Sequence, residues 1–170
     1  MNPGAVGEPI VISEYDPRWP ALFCELRDAR PAGLRMCARS IEHVGSTAVP
    51  GLAAKPIIDI DVVVADEADV AEAIAMLAAA GYPHKGDAGV PGREAFDQPP
   101  HLPEHHLYLC VEGAGPLVAH LRLRDHLRAN PGTAREYAAL KRELTAAYGD
   151  DREGYTEAKT AFIERVLAGG

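Results

Sequence analysis

Cysteine is scarce in this chain: Cys24, Cys37 and Cys110 are scattered, odd in number and never form a C-x-x-C pair. Neither a disulfide framework nor a zinc site is expected from them, and they read as three reduced thiols in a cytoplasmic protein. His101, His105 and His106 find no second pair to complete a zinc set. No apolar run approaches the roughly 20 residues of a membrane span, and Met1 to Glu8 shows neither the basic start nor the apolar stretch of a signal peptide. Basic residues are in the minority, 17 Lys and Arg against 25 Asp and Glu, for a net charge of −8. That balance argues against broad nucleic-acid binding but leaves room for a small basic pocket. A Walker A loop is missing too, since Gly45 and Gly51 are wrongly spaced and no Gly-Lys-Ser/Thr follows. Ser46 has His43 nearby, but a serine in a phosphate-type turn seldom doubles as an acyl nucleophile, and no triad is read. Internal repeats are absent.

What is present fits one globular domain over residues 1–170, with 47% apolar and 25% charged residues and residues 1–9 expected to be loose. The chain is organised around Ile41 to Val64. A strand ends at the turn Gly45-Ser46, an irregular link follows, and Ile57, Ile58, Ile60, Val62, Val63 and Val64 mark a second strand by their β-branching. Asp59 and Asp61 interrupt it at i and i+2, so both carboxylates project from one face, about 7 Å apart at Cα. Carboxylates in so apolar a strand need a counter-charge, and Mg²⁺ or Mn²⁺ shared with substrate phosphates would provide one. Gly45 lets backbone approach a ligand, while Ser46 offers a hydroxyl and an N–H to phosphate. The reading requires both carboxylates on one face and clear of the helices.

Gly-Ser, a spacer and Asp-x-Asp on a strand resemble the signature of the nucleotidyltransferase fold. The longer run Glu42-His43-Val44-Gly45-Ser46-Thr47-Ala48-Val49-Pro50-Gly51-Leu52-Ala53-Ala54-Lys55-Pro56-Ile57-Ile58-Asp59-Ile60-Asp61 resembles the hallmark of the GrpB (UPF0157-type) family. The likeness continues in Tyr15 to Pro20, Leu123 to Arg128, Glu136 to Lys141 and Tyr155 to Ile163, and so covers nearly the whole chain. It implies an α/β fold, a mixed sheet flanked by helices as in nucleotidyltransferases, with a helical C-terminal portion over 115–170. The two carboxylates would hold metal around a nucleoside triphosphate, in the two-metal manner of in-line displacement. GrpB-like domains fused to dephospho-CoA kinase imply a further setting, near coenzyme A metabolism.

Along the chain, Asp16-Pro17 predicts a helix start, with Trp19, Leu22, Phe23 and Leu26 as its buried stripe. Pro31 and Gly33 close that helix, and Met36 to Val44 reads as the first core strand. Asp66 to Ala80 reads as a helix with Gly81 at its C′ position. Tyr82 opens a short strand, and Gly86 to Pro103, rich in Gly and Pro, reads as a long loop containing Arg93. His105 to Val111 returns to strand, with Leu107, Leu109 and Val111 toward the core and His106, Tyr108 and Cys110 on the other face. A third metal ligand is sought there, from Glu104, His106 or Glu112. The family shows His-His-Leu-His at this point, and here Tyr108 fills the last position.

Helices are expected over Leu117 to Ala129, from a Thr133/Glu136 capping box with Tyr137, Leu140, Leu144 and Tyr148 as apolar stripe, and after Asp150-Asp151. Arg124 and Arg128, one turn apart, are the better candidates among the arginines for a triphosphate wall, and Lys55 for a phosphate contact. His43 orients the turn or hydrogen-bonds within it; Lys159 lies in a family motif at unknown distance. The expected function is metal-dependent transfer of a nucleoside monophosphate from an NTP to a small-molecule or protein acceptor. The alternative is an inactive module that keeps the fold and serves a partner.

Overall fold

A computed structural model of the protein describes residues 9–169, so most of the segment expected to be loose lies outside the described residues. Six helices and four strands follow in the order α1 (Trp19–Asp28), α2 (Ala32–Cys37), β1 (Ser40–Val44), β2 (Ile58–Val64), α3 (Glu67–Ala79), β3 (Glu94–Phe96), β4 (His105–Val111), α4 (Gly115–Ala129), α5 (Pro131–Tyr148) and α6 (Arg152–Ala168). The sheet is mixed, in the order β1-β2-β4-β3, with β2 and β4 parallel and both outer pairings antiparallel. No helix among the described residues is long and apolar enough to cross a membrane.

Alternation along the two central strands divides the molecule. Ile58, Ile60, Val62 and Val64 of β2 and Leu107 and Leu109 of β4 are buried against Trp19, Leu26, Leu34, Ala73 and Leu77 of the first three helices. Each buried Val, Leu or Ile among them contributes about 1.5–3 kcal/mol by leaving water. The opposite face, with Asp59, Asp61 and Val63 on β2 and His106, Tyr108 and Cys110 on β4, is covered by the C-terminal helices. There Val63 and Cys110 pack on Leu117 of α4. A separate cluster ties α4, α5 and α6 to Val49, Leu52 and Ala53 of the link after β1, with Tyr137 and Phe162 stacked at 4.9 Å.

Several boundaries differ from expectation. α1 begins at Trp19 rather than at Pro17; Asp16 instead accepts the Arg18 N–H at 2.9 Å and turns the chain into the helix. The segment before β1 is a short helix with Met36 87% exposed, so the first strand starts four residues later than expected. Pro31, expected to break a helix, precedes one. Tyr82 is buried but opens no strand, and the supposed loop of 86–103 contains β3. The Tyr82 hydroxyl and the Arg30 guanidinium both donate to His105 Nε2, at 2.9 and 3.3 Å, while His105 Nδ1 donates to the Pro103 carbonyl at 2.6 Å. Burial holds the His105 pKa below its ordinary value, consistent with that neutral tautomer. α5 starts at Pro131 without the Thr133 capping box, and its buried face runs through Tyr137, Ala138 and Lys141, leaving Tyr148 exposed. Asp66 and Asp69 form the capping box of α3, and Asp151 caps α6 by accepting the Gly154 N–H at 3.0 Å.

Candidate functional site

The register of the sheet puts two rows of polar side chains on the face beneath α4. Asp59 lies between Val44 on β1 and His106 on β4; Asp61 lies between Glu42 and Tyr108. The two aspartates share a face, as their spacing predicts. Asp59 is 29% exposed at its side chain and its Oδ1 lies 2.9 Å from His106 Nδ1. Asp61 is fully buried, with Oδ2 at 2.7 Å from His120 Nδ1 of α4 and Oδ1 without any partner. The expectation that both carboxylates stand clear of the helices is therefore corrected: it holds for Asp59, whereas α4 covers Asp61.

The histidines answer to their carboxylates. Hydrogen bonding to Asp59 holds the His106 pKa above its ordinary value against the opposing effect of burial. For His120 burial is the largest influence and pulls downward, but the Asp61 hydrogen bond and charge together hold it above the ordinary value.

The Gly45-Ser46 turn comes against Asp59. Gly45 has φ +74°, and a Cβ there would stand 2.3 Å from Asp59 Oδ2, so only glycine admits this approach. Ser46 opens a single 3₁₀ turn to Ala48. His43, buried and stacked on Phe23 at 4.8 Å, places Nε2 2.9 Å from Thr47 Oγ1 and so hydrogen-bonds within the turn. Burial lowers its pKa to about 4, which keeps it neutral.

Three lysines meet beside this turn. Lys141 of α5 is 2% exposed and donates to Ser46 Oγ at 2.9 Å and to the Ala53 carbonyl. The Lys55 and Lys159 ammonium groups lie over the Tyr155 ring, 4.4 and 4.7 Å from its centroid. Burial, then the charges of Lys159, Arg142 and Lys55, lower Lys141 to about 7; burial and Lys55 lower Lys159 to about 8. Ser46, Lys55, Asp59, His106, Lys141 and Lys159 line one cavity of about 380 Å³, with Tyr108 and His120 at its wall. Burial first, and neighbouring positive charge second, hold the charge of Lys141 and Lys159 down, and an anion placed between them would favour their charged forms.

The arginines expected at the triphosphate are elsewhere. Arg124 donates through Nη1 to the Glu42 carboxylate at 2.9 Å and the His43 carbonyl at 3.1 Å, and Arg128 through Nε to the Ala48 carbonyl at 2.8 Å. Both brace the turn from outside the cavity. Of the three candidates for a further ligand, only His106 stands beside Asp59. Glu104 lines neighbouring cavities, and Glu112 pairs with Arg39 at 3.8 Å at the far end of β4. Among the described residues no group of three or more His, Cys, Asp or Glu is arranged to hold a metal ion. A cation caged by protein alone does not fit; one that shares its coordination with ligand phosphates at Asp59 does.

Sequence reasoning missed Glu42, His120 and the burial of Lys141. The signal for His120 was present, since Leu117, His120, Arg124 and Leu127 fall at helical spacing on the side of α4 that faces the sheet, two polar residues in an apolar stripe.

Residues 9–168 match the GrpB protein family, and the chain belongs to it. The crystal structure of conserved protein GrpB from Enterococcus faecalis superimposes with a TM-score of 0.82 at 34% identity, covering 94% of this chain and 96% of that one. UPF0157 protein YqkA of Bacillus subtilis is 34% identical over 150 residues, 88% of this chain but 44% of that protein, so the chain spans less than half of YqkA. A dephospho-CoA kinase of Mycolicibacterium paratuberculosis is 28% identical over 180 residues, 91% of this chain and 44% of that protein.

Proposed function

We propose that the cavity binds a nucleoside triphosphate through its phosphates together with a divalent cation, and that the reaction it serves is transfer of a nucleoside monophosphate to a small-molecule or protein acceptor. The observation that carries this reading is the convergence of Lys55, Lys141 and Lys159 with Ser46 and Asp59 on one cavity. Phosphate oxygens would meet the lysines and the Ser46 turn, offsetting the burial and the neighbouring positive charge that together depress the charge of Lys141 and Lys159. Mg²⁺ or Mn²⁺, when bound, supplies Lewis-acid stabilisation of the transferring phosphoryl group. Asp59 would hold it, with Asp61 and its unpartnered Oδ1 behind. Gly45 keeps the proposed phosphate turn close to that carboxylate, and His106, whose bond to Asp59 raises its pKa above the ordinary value, is placed to hold a proton beside it.

A second reading, binding without turnover in the service of a partner, is favoured by one observation: Asp61 is sealed under His120. The similarity to a dephospho-CoA kinase makes enzymes of coenzyme A synthesis the first partners to try.

The deciding experiment is thermal unfolding of the wild type and Asp59→Asn with each NTP, with and without Mg²⁺ or Mn²⁺. A ligand at a hundredfold excess over Kd stabilises by about 2.7 kcal/mol. A cation-dependent rise in Tm that Asp59→Asn abolishes supports the nucleotide site, and release of pyrophosphate then separates transfer from binding. No rise with any nucleotide sinks both the site and the reaction.

A further inference from the structure

A second cavity, of about 520 Å³, shares no lining residue with the first. Its volume falls within the range of about 300–1,000 Å³ typical of small-molecule sites. Pro50, Gly51, Leu52 and Ala53 form one wall, and Glu14 with helices α4 and α5 forms the rest. The floor is apolar and continuous with the core of the C-terminal helices: Leu52, Ala53 and Leu127 are each 2% exposed and Ala138 is 8% exposed.

The rim is cationic. Arg128, Arg135 and Arg142 all line this cavity, in a chain whose net charge is −8. The carboxylate of Glu14 is paired with Arg142, and Arg128 spends only its Nε on the Ala48 carbonyl. Arg135 has no hydrogen bond or ion pair among the described residues. Three guanidiniums against one carboxylate leave two positive charges over an apolar floor. A guanidinium holds an oxyanion through paired N–H donors, and a phosphate monoester dianion matches the surplus where a single carboxylate does not.

We propose that this cavity binds a phosphomonoester bearing an apolar body, with the phosphate on Arg135 and the remaining N–H groups of Arg128, with Arg142 holding off the Glu14 carboxylate, and with the body on Leu52, Leu127 and Ala138. The site is independent of the nucleotide reading. The two cavities nevertheless have one loop between them, since Lys141 Nζ bonds both Ser46 Oγ, which lines the first, and the carbonyl of Ala53, which lines the second.

The test is titration of the ¹⁵N-labelled chain with phenyl phosphate, inorganic phosphate and benzoate, followed by amide shifts. Phenyl phosphate should move amides of 50–53 and 134–142, with inorganic phosphate and benzoate each about tenfold weaker. Arg135→Glu, at an exposed and unpaired position, should weaken phenyl phosphate about tenfold. Arg142→Gln should weaken it in the same direction, and Asp59→Asn should leave it unchanged. Equal affinity for phenyl phosphate and inorganic phosphate, shifts confined to Ser46, Lys55 and Lys159, or an unaltered Kd in Arg135→Glu would each overturn the proposal. None of these outcomes depends on whether an NTP binds the first cavity.

Discussion

A methyl group at Gly45 would collide with Asp59 Oδ2 and would also sit at φ +74°. Gly45→Ala is therefore expected to destabilise the protein by about 1–3 kcal/mol, read in urea unfolding, and to weaken NTP and Mg²⁺ binding by moving Asp59. Lys141 makes a prediction about pH. Its folded pKa is lowered to about 7 from 10.5. Between those values the unfolded chain carries a proton that the folded chain lacks, so stability rises with pH across this window, and below it, where Lys141 is charged in both states, the cost of burying the ammonium is fully present. Lys141→Met should flatten that rise in urea unfolding series between pH 7 and pH 9. Binding of a polyanion beside Lys141 and Lys159 should favour their charged forms and take up protons. Calorimetry in buffers of different ionisation enthalpy should detect the uptake, and affinity should fall from pH 6.5 to pH 8.5.

At the level of elements, α4 does more than cover the sheet. Through Arg124 it holds the carboxylate of Glu42 and the carbonyl of His43, and so fixes the strand end from which the Gly45-Ser46 turn departs. Arg124→Ala should cost about 2 kcal/mol and speed amide exchange at residues 45–49 more than in α3. These elements were unevenly legible. β2 and β4 followed from β-branching and alternation, and the shared face of Asp59 and Asp61 followed with them, because strand parity is rigid. Helix starts were less so. Asp16 looked like a cap and closes a turn instead, while Pro31 looked like a terminator and stands before a helix, since proline suits both places. β3 was hidden because three residues among glycines and prolines carry no periodicity; its pairing with β4 comes from tertiary contact. At the site, the carboxylates and the turn were readable from local sequence. The lysine cluster was not, because Lys141 and Lys159 reach it from helices whose rotation depends on packing, and the expected apolar stripe of α5 was turned by about one position.

On the scale of the whole molecule, the sheet separates two cores with different responsibilities. The first, around Ile60, Leu77 and Leu107, supports the strands; the second, around Tyr137 and Phe162, sets where the C-terminal helices sit. Leu77→Ala should cost about 2–5 kcal/mol and leave the affinity of the remaining folded protein for phosphate ligands unchanged. Phe162→Ala should cost about 3–5 kcal/mol and weaken that affinity as well, because Lys159 lies one turn away on α6. Unfolding midpoints and ligand titrations of the two variants separate these outcomes. The cavity is thus composed of parts made at different times. Lys159 follows Asp59 by 100 positions (159 − 59), and at roughly 5–20 residues per second the ribosome releases it about 5–20 s later. A nascent chain can complete its strands while Asp59 has Lys55 but still lacks Lys141 and Lys159, so the cavity is completed only once translation has passed into α6.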